Sequence, residues 1–271
     1  TYDLTFAPEE AIGNRAAVGE YLNRIQTIGV PEALQTTFAQ MFNVQDTDEY
    51  VDLLTQLGSE FYAEQNAHAL TSAQRFISRM SHCGSRFEGK WGEDQRNCIW
   101  GELDIDDGTL DPQNGMPGID SETMRISAGL VRQVDSNWSF TAAFNYSDHD
   151  MMGYADRWFA QGDSMQSALG VSYDFGGPKI GAYASIGNHS YDTTRLLPGF
   201  GGAARSKRDL LAITGQVLGS YELASGAFSA VPTLALGVTS LSRGDTTEGS
   251  TTANALAIEA ASSTHAWAMP G

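Results

Sequence analysis

The second half of the chain alternates large apolar residues with small or polar ones, and a period of two is what a β-strand produces on its two faces. In residues 122–134 the apolar series is Met124, Ile126, Ala128 and Leu130. The same alternation recurs in residues 138–147, 165–175, 180–191, 211–223, 234–238 and 256–260. One face of each predicted strand is apolar and the other is small or polar, which is typical of strands that separate two solvents.

The connections between these predicted strands alternate in length. The short connections are residues 135–137, 176–178 and 224–226. The long, polar connections are residues 148–162, 192–208 and 242–252. Outer-membrane barrels alternate tight periplasmic turns with long external loops, and a strand of ~9–11 tilted residues spans a bilayer. The pattern therefore predicts a mainly β fold, an antiparallel transmembrane β-barrel of which this chain supplies about eight strands.

The charge and the hydropathy of the chain exclude two other classes. Lys and Arg total 16 against 33 Asp and Glu, which gives a formal charge of −17 and a pI near 4.5. Nucleic-acid binding requires a basic face, so we expect no nucleic-acid partner. The sequence contains no long uninterrupted apolar run of the length that a membrane-spanning helix needs, so we expect no transmembrane helix.

Residues 8–82 have the periodicity of helices rather than of strands. Val18, Leu22 and Ile25 follow one another at spacings of four and three, as on one face of a helix. Further helices are predicted from near Pro31, from a cap at Asp46 or Thr47, and over about 60–82. The chain therefore divides into an α-helical lead-in and a barrel, with predicted bounds of 8–97 and 98–271.

Two cysteines, Cys83 and Cys98, flank a short polar segment where these two parts meet. Two lone cysteines without further Cys or His at zinc spacing make a poor metal site. We therefore expect a local disulfide formed in an oxidising compartment, which would stabilise the fold by about 3 kcal/mol through loop closure. Two unrelated free thiols are the alternative.

Six segments resemble, in the same order along the chain, segments of one known family. Three lie in the helical part, namely the Pro8-Glu9-Glu10 start with the helix that follows it, Leu-Gly-Ser-Glu-Phe-Tyr-Ala at 57–63, and the helix at 73–80. Three lie in predicted strands, namely Ile-Trp-Gly-Glu at 99–102, Ser-Tyr-Asp-Thr-Thr-Arg at 190–195, and Leu-Gly-Ser-Tyr-Glu at 218–222. The family is the autotransporter (type V secretion) translocator β-domain. Glu9-Glu10 and the order of Gly58 and Ser59 depart from the family pattern.

The resemblance implies a fold and a role for the parent protein. A translocator of this family forms an outer-membrane barrel of roughly twelve strands and supports export of its own N-terminal passenger to the cell surface of a Gram-negative bacterium. It also implies the outer-membrane barrel assembly machinery as a partner. Residues 1–7 are then the end of the passenger. About four C-terminal strands are expected beyond Gly271, because open strand edges in lipid leave backbone groups unsatisfied.

In such a translocator the helix over about 60–82 lies in or near the pore. Arg75 and Arg79 are predicted to pair with lumen acids such as Asp174 or Glu222. The basic cluster, which we predict to lie at a loop stem or to contact outer-membrane lipopolysaccharide, is Arg205, Lys207 and Arg208.

No segment of the sequence supplies a complete catalytic site. Gly162-Asp163-Ser164 has no nearby base or oxyanion hole, and a hydrolase requires both. His149 and Asp150 are predicted to lie in a solvated loop rather than to bind a metal. His68 and His82 are predicted to be lumen or surface residues of the last helix. We therefore expect no enzyme activity, no cofactor and no metal.

Two other classes of protein stay open on the residues alone. One is an outer-membrane porin or adhesin barrel without a passenger, against which the helical lead-in argues. The other is a soluble secreted β-sandwich that acts as a binding module, which would share short alternating strands.

Overall fold

The computed structural model describes residues 5–80, 97–110, 118–153, 157–221, 223–225, 228–252 and 254–270. The first part is helical, with α1 Asn14–Ile28, α2 Gln35–Asn43, α3 Thr47–Leu57 and α4 Glu60–Arg79. The long strands are β1 Asn97–Leu110, β2 Ile119–Gln133, β3 Trp138–Gly153, β4 Trp158–Asp174, β5 Pro178–Leu197, β6 Gly202–Tyr221, β9 Thr233–Arg243 and β13 Ala261–Pro270. The short ones are β7 Leu223–Ser225, β8 Phe228–Ala230, β10 Thr246–Thr247, β11 Gly249–Ser250 and β12 Ala257–Ile258.

The local sequence accounts for where the helices begin and end. The Asp46 side chain caps α3 by accepting the backbone N–H of Glu49 at 3.0 Å, which confirms the predicted cap. Helix α1 ends where Gly29 takes a φ of 110°, a conformation that favours glycine. Helix α4 corresponds to the helix predicted over about 60–82, of which residues 81 and 82 lie outside the described residues. None of the described helices is long and apolar enough to cross a membrane.

The long strands form one antiparallel sheet in the order β1-β2-β3-β4-β5-β6-β9-β13. Each long strand pairs with the next one along the chain, so the topology is a meander. Between β6 and β9 the described residues include the small β7–β8 hairpin, and β11 pairs with the beginning of β6 at Ala204 and Arg205. The prediction of a mainly β, antiparallel fold of about eight strands after a helical lead-in is confirmed.

The two faces of the sheet have the inverse of the usual polarity. Outward residues are apolar and exposed, with Ile99 at 88% and Leu169 at 69% of their full accessible surface. Inward residues are polar and buried, among them Asn145, Thr214 and Thr239. A soluble protein buries its apolar face and exposes its polar one. This sheet therefore requires an apolar environment outside and a polar one inside.

Two connections are shorter than the sequence predicts. Strands β3 and β4 leave only residues 154–157 between them, and β5 and β6 leave only 198–201. The long loops predicted at 148–162 and 192–208 are therefore wrong, because most of each segment is strand. Inward residues stay buried along these extensions, whereas several outward residues are charged, namely Asp148 and Asp150 of β3 and Asp192 of β5. The apolar period therefore disappears from the sequence although the hydrogen-bonded ladder persists.

The last strand lies beyond its predicted position. The prediction placed it at 256–260, but Leu256 and Ile258 pack inward against the core, and β13 begins at Ala261. In the register with β9, Trp267 lies opposite the buried Gly237 and therefore on the inward face. Before Pro270 the outward face has only small residues, which give no apolar alternation, namely Ser262, Thr264, Ala266 and Ala268.

The turn between β2 and β3 is fixed by one carboxylate. Oδ1 of Asp135 accepts the backbone N–H groups of Asn137 and Trp138, each at 2.8 Å, which lowers the pKa of this carboxyl. Aromatic rings gather at this end of the sheet, since the Trp138 ring packs edge-on to Tyr173 at 4.9 Å and Tyr173 packs on Phe175. Outward aromatic residues at strand ends are typical of a membrane interface.

Helices α1, α2 and α3 pack at the opposite end of the sheet. Their apolar cluster includes Phe38 and extends to the β5–β6 connection through Leu197 and Phe200. Phe6 is buried in the same cluster, and its backbone N–H donates to Oδ1 of Asn23 at 2.7 Å. Residue 6 thus packs with the helical lead-in, and the passenger boundary after residue 7 stays a prediction.

Candidate functional site

Helix α4 lies inside the curled sheet and packs on its inner face. At its start, Phe61 and Tyr62 contact Trp158 and Leu210 of the wall in one apolar cluster. At its end a second cluster contains Phe76, Ile77, Met80, Ala143, Ala168 and Tyr183. The edge strands contribute to this second cluster through Trp100 of β1 and Trp267 of β13. The sheet therefore wraps around the helix from its first strand to its last.

Arg208 of β6 binds the first turns of α4 from the wall. Its Nη1 donates to the backbone carbonyl of Tyr62 at 3.0 Å and to Oε1 of Gln65 at 3.2 Å, and its Nη2 donates to Oδ1 of Asn66 at 2.7 Å. The guanidinium also lies over the Tyr62 ring at 5.2 Å from its centroid. Arg208 is almost fully buried. Its charge is thus solvated by the helix instead of by water.

Arg195 of β5 forms a second buried hub at the same end. Its guanidinium pairs with Glu248, and both side chains are buried. It also donates to the backbone carbonyls of Gln56 in α3 and Asn254, the latter at 2.9 Å. The Tyr62 hydroxyl of α4 donates to Glu248 at 3.4 Å. The connection between β9 and β13 is therefore folded into the mouth of the sheet and fastened to the helices.

The middle of α4 is held by neutral hydrogen bonds. Gln65 donates from Nε2 to Oγ1 of Thr193 at 2.7 Å, and its backbone carbonyl accepts the Tyr191 hydroxyl at 3.2 Å. About two turns further on, Nε2 of Gln166 donates to Oγ of Ser72 at 2.9 Å. Polar residues of the helix thus meet polar residues of the wall directly.

The two predicted lumen arginines pair with β1. Arg75 pairs with Asp106, and Nη2 of Arg79 donates to Oδ2 of Asp104 at 2.9 Å. Asp104 also accepts Nη1 of the buried Arg125 at 2.7 Å. Asp104 and Asp106, two successive inward positions of β1, are thus carboxylates that face arginines.

The predicted partners of these arginines lie elsewhere. Asp174 ends β4 at the turn, where its Oδ1 accepts the backbone N–H of Gly176 at 2.7 Å. It does not contact Arg75 or Arg79. Glu222 lies outside the described residues, so its pairing stays a prediction.

The predicted disulfide also stays a prediction. Cys98 is the second residue of β1, and Cys83 lies outside the described residues. A bond between them would fasten the end of the lead-in to the first strand of the sheet.

The basic cluster of the sequence is divided between the two faces of β6. Arg205 and Lys207 are outward and exposed, and Nζ of Lys207 lies 3.8 Å from Oδ2 of Asp192. Arg208 is inward and binds α4. The prediction that all three residues lie at a loop stem or contact lipopolysaccharide is therefore wrong for Arg208, because adjacent strand residues face opposite sides.

His149 and Asp150 lie in β3 and not in a loop. His149 is inward and buried, whereas Asp150 is outward and exposed. His68 is on α4 beside His149, and His82 lies outside the described residues. Among the residues that the structure describes, no group of three or more His, Cys, Asp or Glu side chains is placed to hold a metal ion.

These features define a class of protein. An exposed apolar outer face suits contact with lipid, and a buried polar inner face suits a wet lumen. The lumen is occupied by α4, the last helix before β1 among the described residues. The fold is that of a transmembrane β-barrel domain filled by its own lead-in helix, although β1 and β13 do not pair with each other.

Comparison with known proteins identifies the family. The family model of the autotransporter beta-domain matches residues 99–269, and the chain belongs to this family. Among solved structures, the fold is similar to the translocator domain of autotransporter NalP from Neisseria meningitidis. The identity is 15% and the TM-score 0.64, over 77% of this chain and 70% of that one. A search of curated proteins found no match.

Membership of this family establishes the location and the role of the chain. It is an outer-membrane translocator domain, and it supports the export of a passenger that is attached to it in cis.

Sequence reasoning missed the residues that fasten the helix most firmly. Arg195 and Arg208 have the same inward parity as Thr193 and Ser206, so the period of two contained the signal that they face the lumen. Glu248 had no such signal, because it belongs to a connection that folds inward. Its contact with Arg195 depends on tertiary structure alone.

Proposed function

We propose that α4 is the part of the exported polypeptide that stays in the lumen after the passenger has crossed the outer membrane. The observation that carries this proposal is the direction of the helix. It starts at the end of the sheet where α1, α2 and α3 pack, and it ends at the end with the tight turns. Tight turns face the periplasm in outer-membrane barrels. The chain N-terminal to α4 then emerges outside, where a passenger has to be.

The contacts of α4 support a helix that becomes bound in the lumen at the end of transport. Arg208 recognises a backbone carbonyl and two short amide side chains, which many passing segments lack in this spacing. Hydrogen bonds to a charged donor contribute about 1.5–3 kcal/mol each when they replace water. A segment with the sequence of α4 is therefore retained where other segments slide past.

We propose that further antiparallel strands complete the barrel at the edges of β1 and β13. Each of these strands has one hydrogen-bonded neighbour among the described residues. An unpaired strand edge in lipid costs several kcal/mol per unsatisfied group. A sheet of this kind has to be inserted into the outer membrane before its strands can span it. This need supports the outer-membrane barrel assembly machinery as a partner. The outward Arg205 and Lys207 support contact with the phosphates of lipopolysaccharide.

The orientation is tested with epitope tags in the full-length protein. One tag precedes Thr1, and a matched tag lies between Gly176 and Gly177 in the turn that follows β4. Antibody binding is measured on intact and on permeabilised Gram-negative cells. We expect intact cells to bind antibody only through the tag before Thr1. A tag before Thr1 that is reached only after permeabilisation would show that the proposed direction of α4 is wrong.

A further inference from the structure

Three histidines meet where the middle of α4 contacts the wall. The ring of His68 on α4 lies 4.5 Å from the ring of His149 on β3, measured between centroids. His189 on β5 is inward and fully buried, two residues before Tyr191 on the same face of the strand. The Tyr191 ring lies 4.8 Å from His149, and its hydroxyl is 3.0 Å from Nδ1 of His68. We call His68, His149 and His189 the histidine layer.

The two wall histidines have no polar partner. His149 is 1% exposed and His189 0%, and none of their ring nitrogens has a hydrogen-bond partner among the residues that the structure describes. A Cβ on the neighbouring Gly162 would lie 2.6 Å from Nε2 of His149, so this ring packs directly over β4. A neutral imidazole tolerates such packing better than an imidazolium, which has two N–H donors and a full charge to satisfy.

The surroundings of the layer offer little compensation for added positive charge. The charged and titratable groups beside the layer are Glu64, Arg75, Asp106 and Arg125, which line the same cavity as His68, and Tyr191, which contacts His68 and His149. Other charged residues at inward positions of the described strands are Glu102 and Asp104 on β1, Arg195 on β5, Arg208 on β6 and Arg243 on β9. The inward positions of β3 and β4 in the described residues add only His149 itself. Asp104 and Asp106 are already engaged by arginines, as is Glu248 beyond Arg195.

Protons have a route to the layer. A cavity of about 270 Å³ lies between α4 and the first three strands, and His68, Glu64, Thr71 and Arg125 line it. His68 thus borders a polar space beside the helix, and His149 lies immediately behind it.

We propose that the histidine layer is a proton-sensitive contact, which holds α4 in the lumen at neutral pH and loosens it in acid. Protonation would place up to three like charges within one layer, beside Arg75 and Arg125, which line the same cavity as His68, where repulsion is poorly screened. The helix can relieve this repulsion only by moving His68 away from the wall. The inference rests on the proposed function, in which α4 stays in the lumen after export, and it adds that external pH controls how firmly the helix is held there.

The test is the ion conductance of the full-length protein in planar lipid bilayers at pH 7.5 and pH 5. We expect the conductance of the natural protein to rise roughly threefold or more in acid, as the loosened state becomes populated. The variant H149L/H189L replaces both unpartnered rings with apolar side chains of similar size. We expect its conductance to stay low at both pH values. The matched control is H265L on the exposed strand β13, which should keep the full response to acid.

Two results would overturn the proposal, namely a natural protein whose conductance is equal at both pH values, or an H149L/H189L variant with an unchanged response. The first result needs no variant, so the test holds even if the double variant fails to fold. The folded state of each variant is checked by its heat-modifiable migration on gels. The tag before Thr1 tests the direction of α4 independently. A surface-exposed tag together with a pH-independent conductance therefore overturns this inference alone.

Discussion

Arg195 of β5 and Glu248 of the β9–β13 connection form an ion pair that is 3% and 1% exposed, at the mouth of the sheet. The pair joins four parts of the molecule, because Arg195 also binds the carbonyl of Gln56 in α3 and Glu248 accepts the hydroxyl of Tyr62 in α4. Glu248 further accepts the backbone N–H of Leu256 at 2.8 Å. One buried contact thus fixes the wall, the lead-in, the lumen helix and a connection relative to one another.

The substitution R195M should destabilise the fold strongly, because it leaves Glu248 buried without its cation. Breaking a buried pair in this way costs about 3–5 kcal/mol. The double variant R195M/E248L removes both charges and should recover most of that loss. The free energy of unfolding in detergent, from urea titration, measures both effects. A double variant no more stable than R195M would show that the pair is not coupled.

Arg208 should be required to keep α4 seated. The substitution R208L leaves the Tyr62 carbonyl, Gln65 and Asn66 without their donor, and we expect a loss of about 2–4 kcal/mol and a higher ion conductance. The matched control is K207L, one residue away on the outward face. Planar-bilayer conductance compares the two variants. Equal conductance in R208L and the natural protein would contradict the role assigned to Arg208.

The sequence predicts the strands well only where lipid imposes two different faces on them. Alternation locates β2 and residues 138–147 of β3. It fails at Asp148 and Asp150, where the outward residues are charged although the strand continues. It fails again at β13, whose outward residues are small. Strand pairing there is set by the ladder with β9, which leaves no trace in residue hydropathy.

Close packing of aromatic rings over glycines should limit which glycines of the wall can be replaced by alanine. A Cβ on Gly170 would overlap the ring of Tyr183, whereas a Cβ on Gly215 would meet nothing within 4 Å. G170A should therefore cost about 1–3 kcal/mol through overpacking, and G215A should have little effect. The temperature of the heat-modifiable gel shift measures the difference. Equal transition temperatures would show that Tyr183 moves aside without cost.

A charged substitution on the outward face should destabilise the fold only within the apolar band of that face. Leu169 lies in the middle of β4, and L169K should cost about 2–4 kcal/mol if it faces the bilayer interior. Q161K, on the same face nearer the mouth, should be tolerated, because Gln161 lies opposite Asp150 and Asp192. The fraction of folded protein in outer-membrane preparations reports the outcome. Equal tolerance of both lysines would argue against lipid contact at Leu169.

The candidate site was predictable in its parts but not in its pairings. The polar and small residues of α4 indicated a lumen helix, and Arg75 and Arg79 do meet carboxylates. Those carboxylates belong to β1, because the chain returns beside the end of α4 after the short segment that contains Cys83. Asp174 is distant because β4 ends at the turn. Which acid faces which arginine depends on the curl of the sheet, which no residue pattern specifies.

The central claim is that α4 lies in the lumen against the inward face of the wall. It is tested most directly by thiol cross-linking in intact cells, with Cys83 and Cys98 replaced by serine. Ser72 of α4 accepts a hydrogen bond from Gln166 of β4, whereas the next residue, Ser167, is outward. We predict that S72C cross-links rapidly with Q166C and not with S167C. Equal cross-linking of both pairs, or none with Q166C in correctly inserted protein, would contradict a helix-filled barrel.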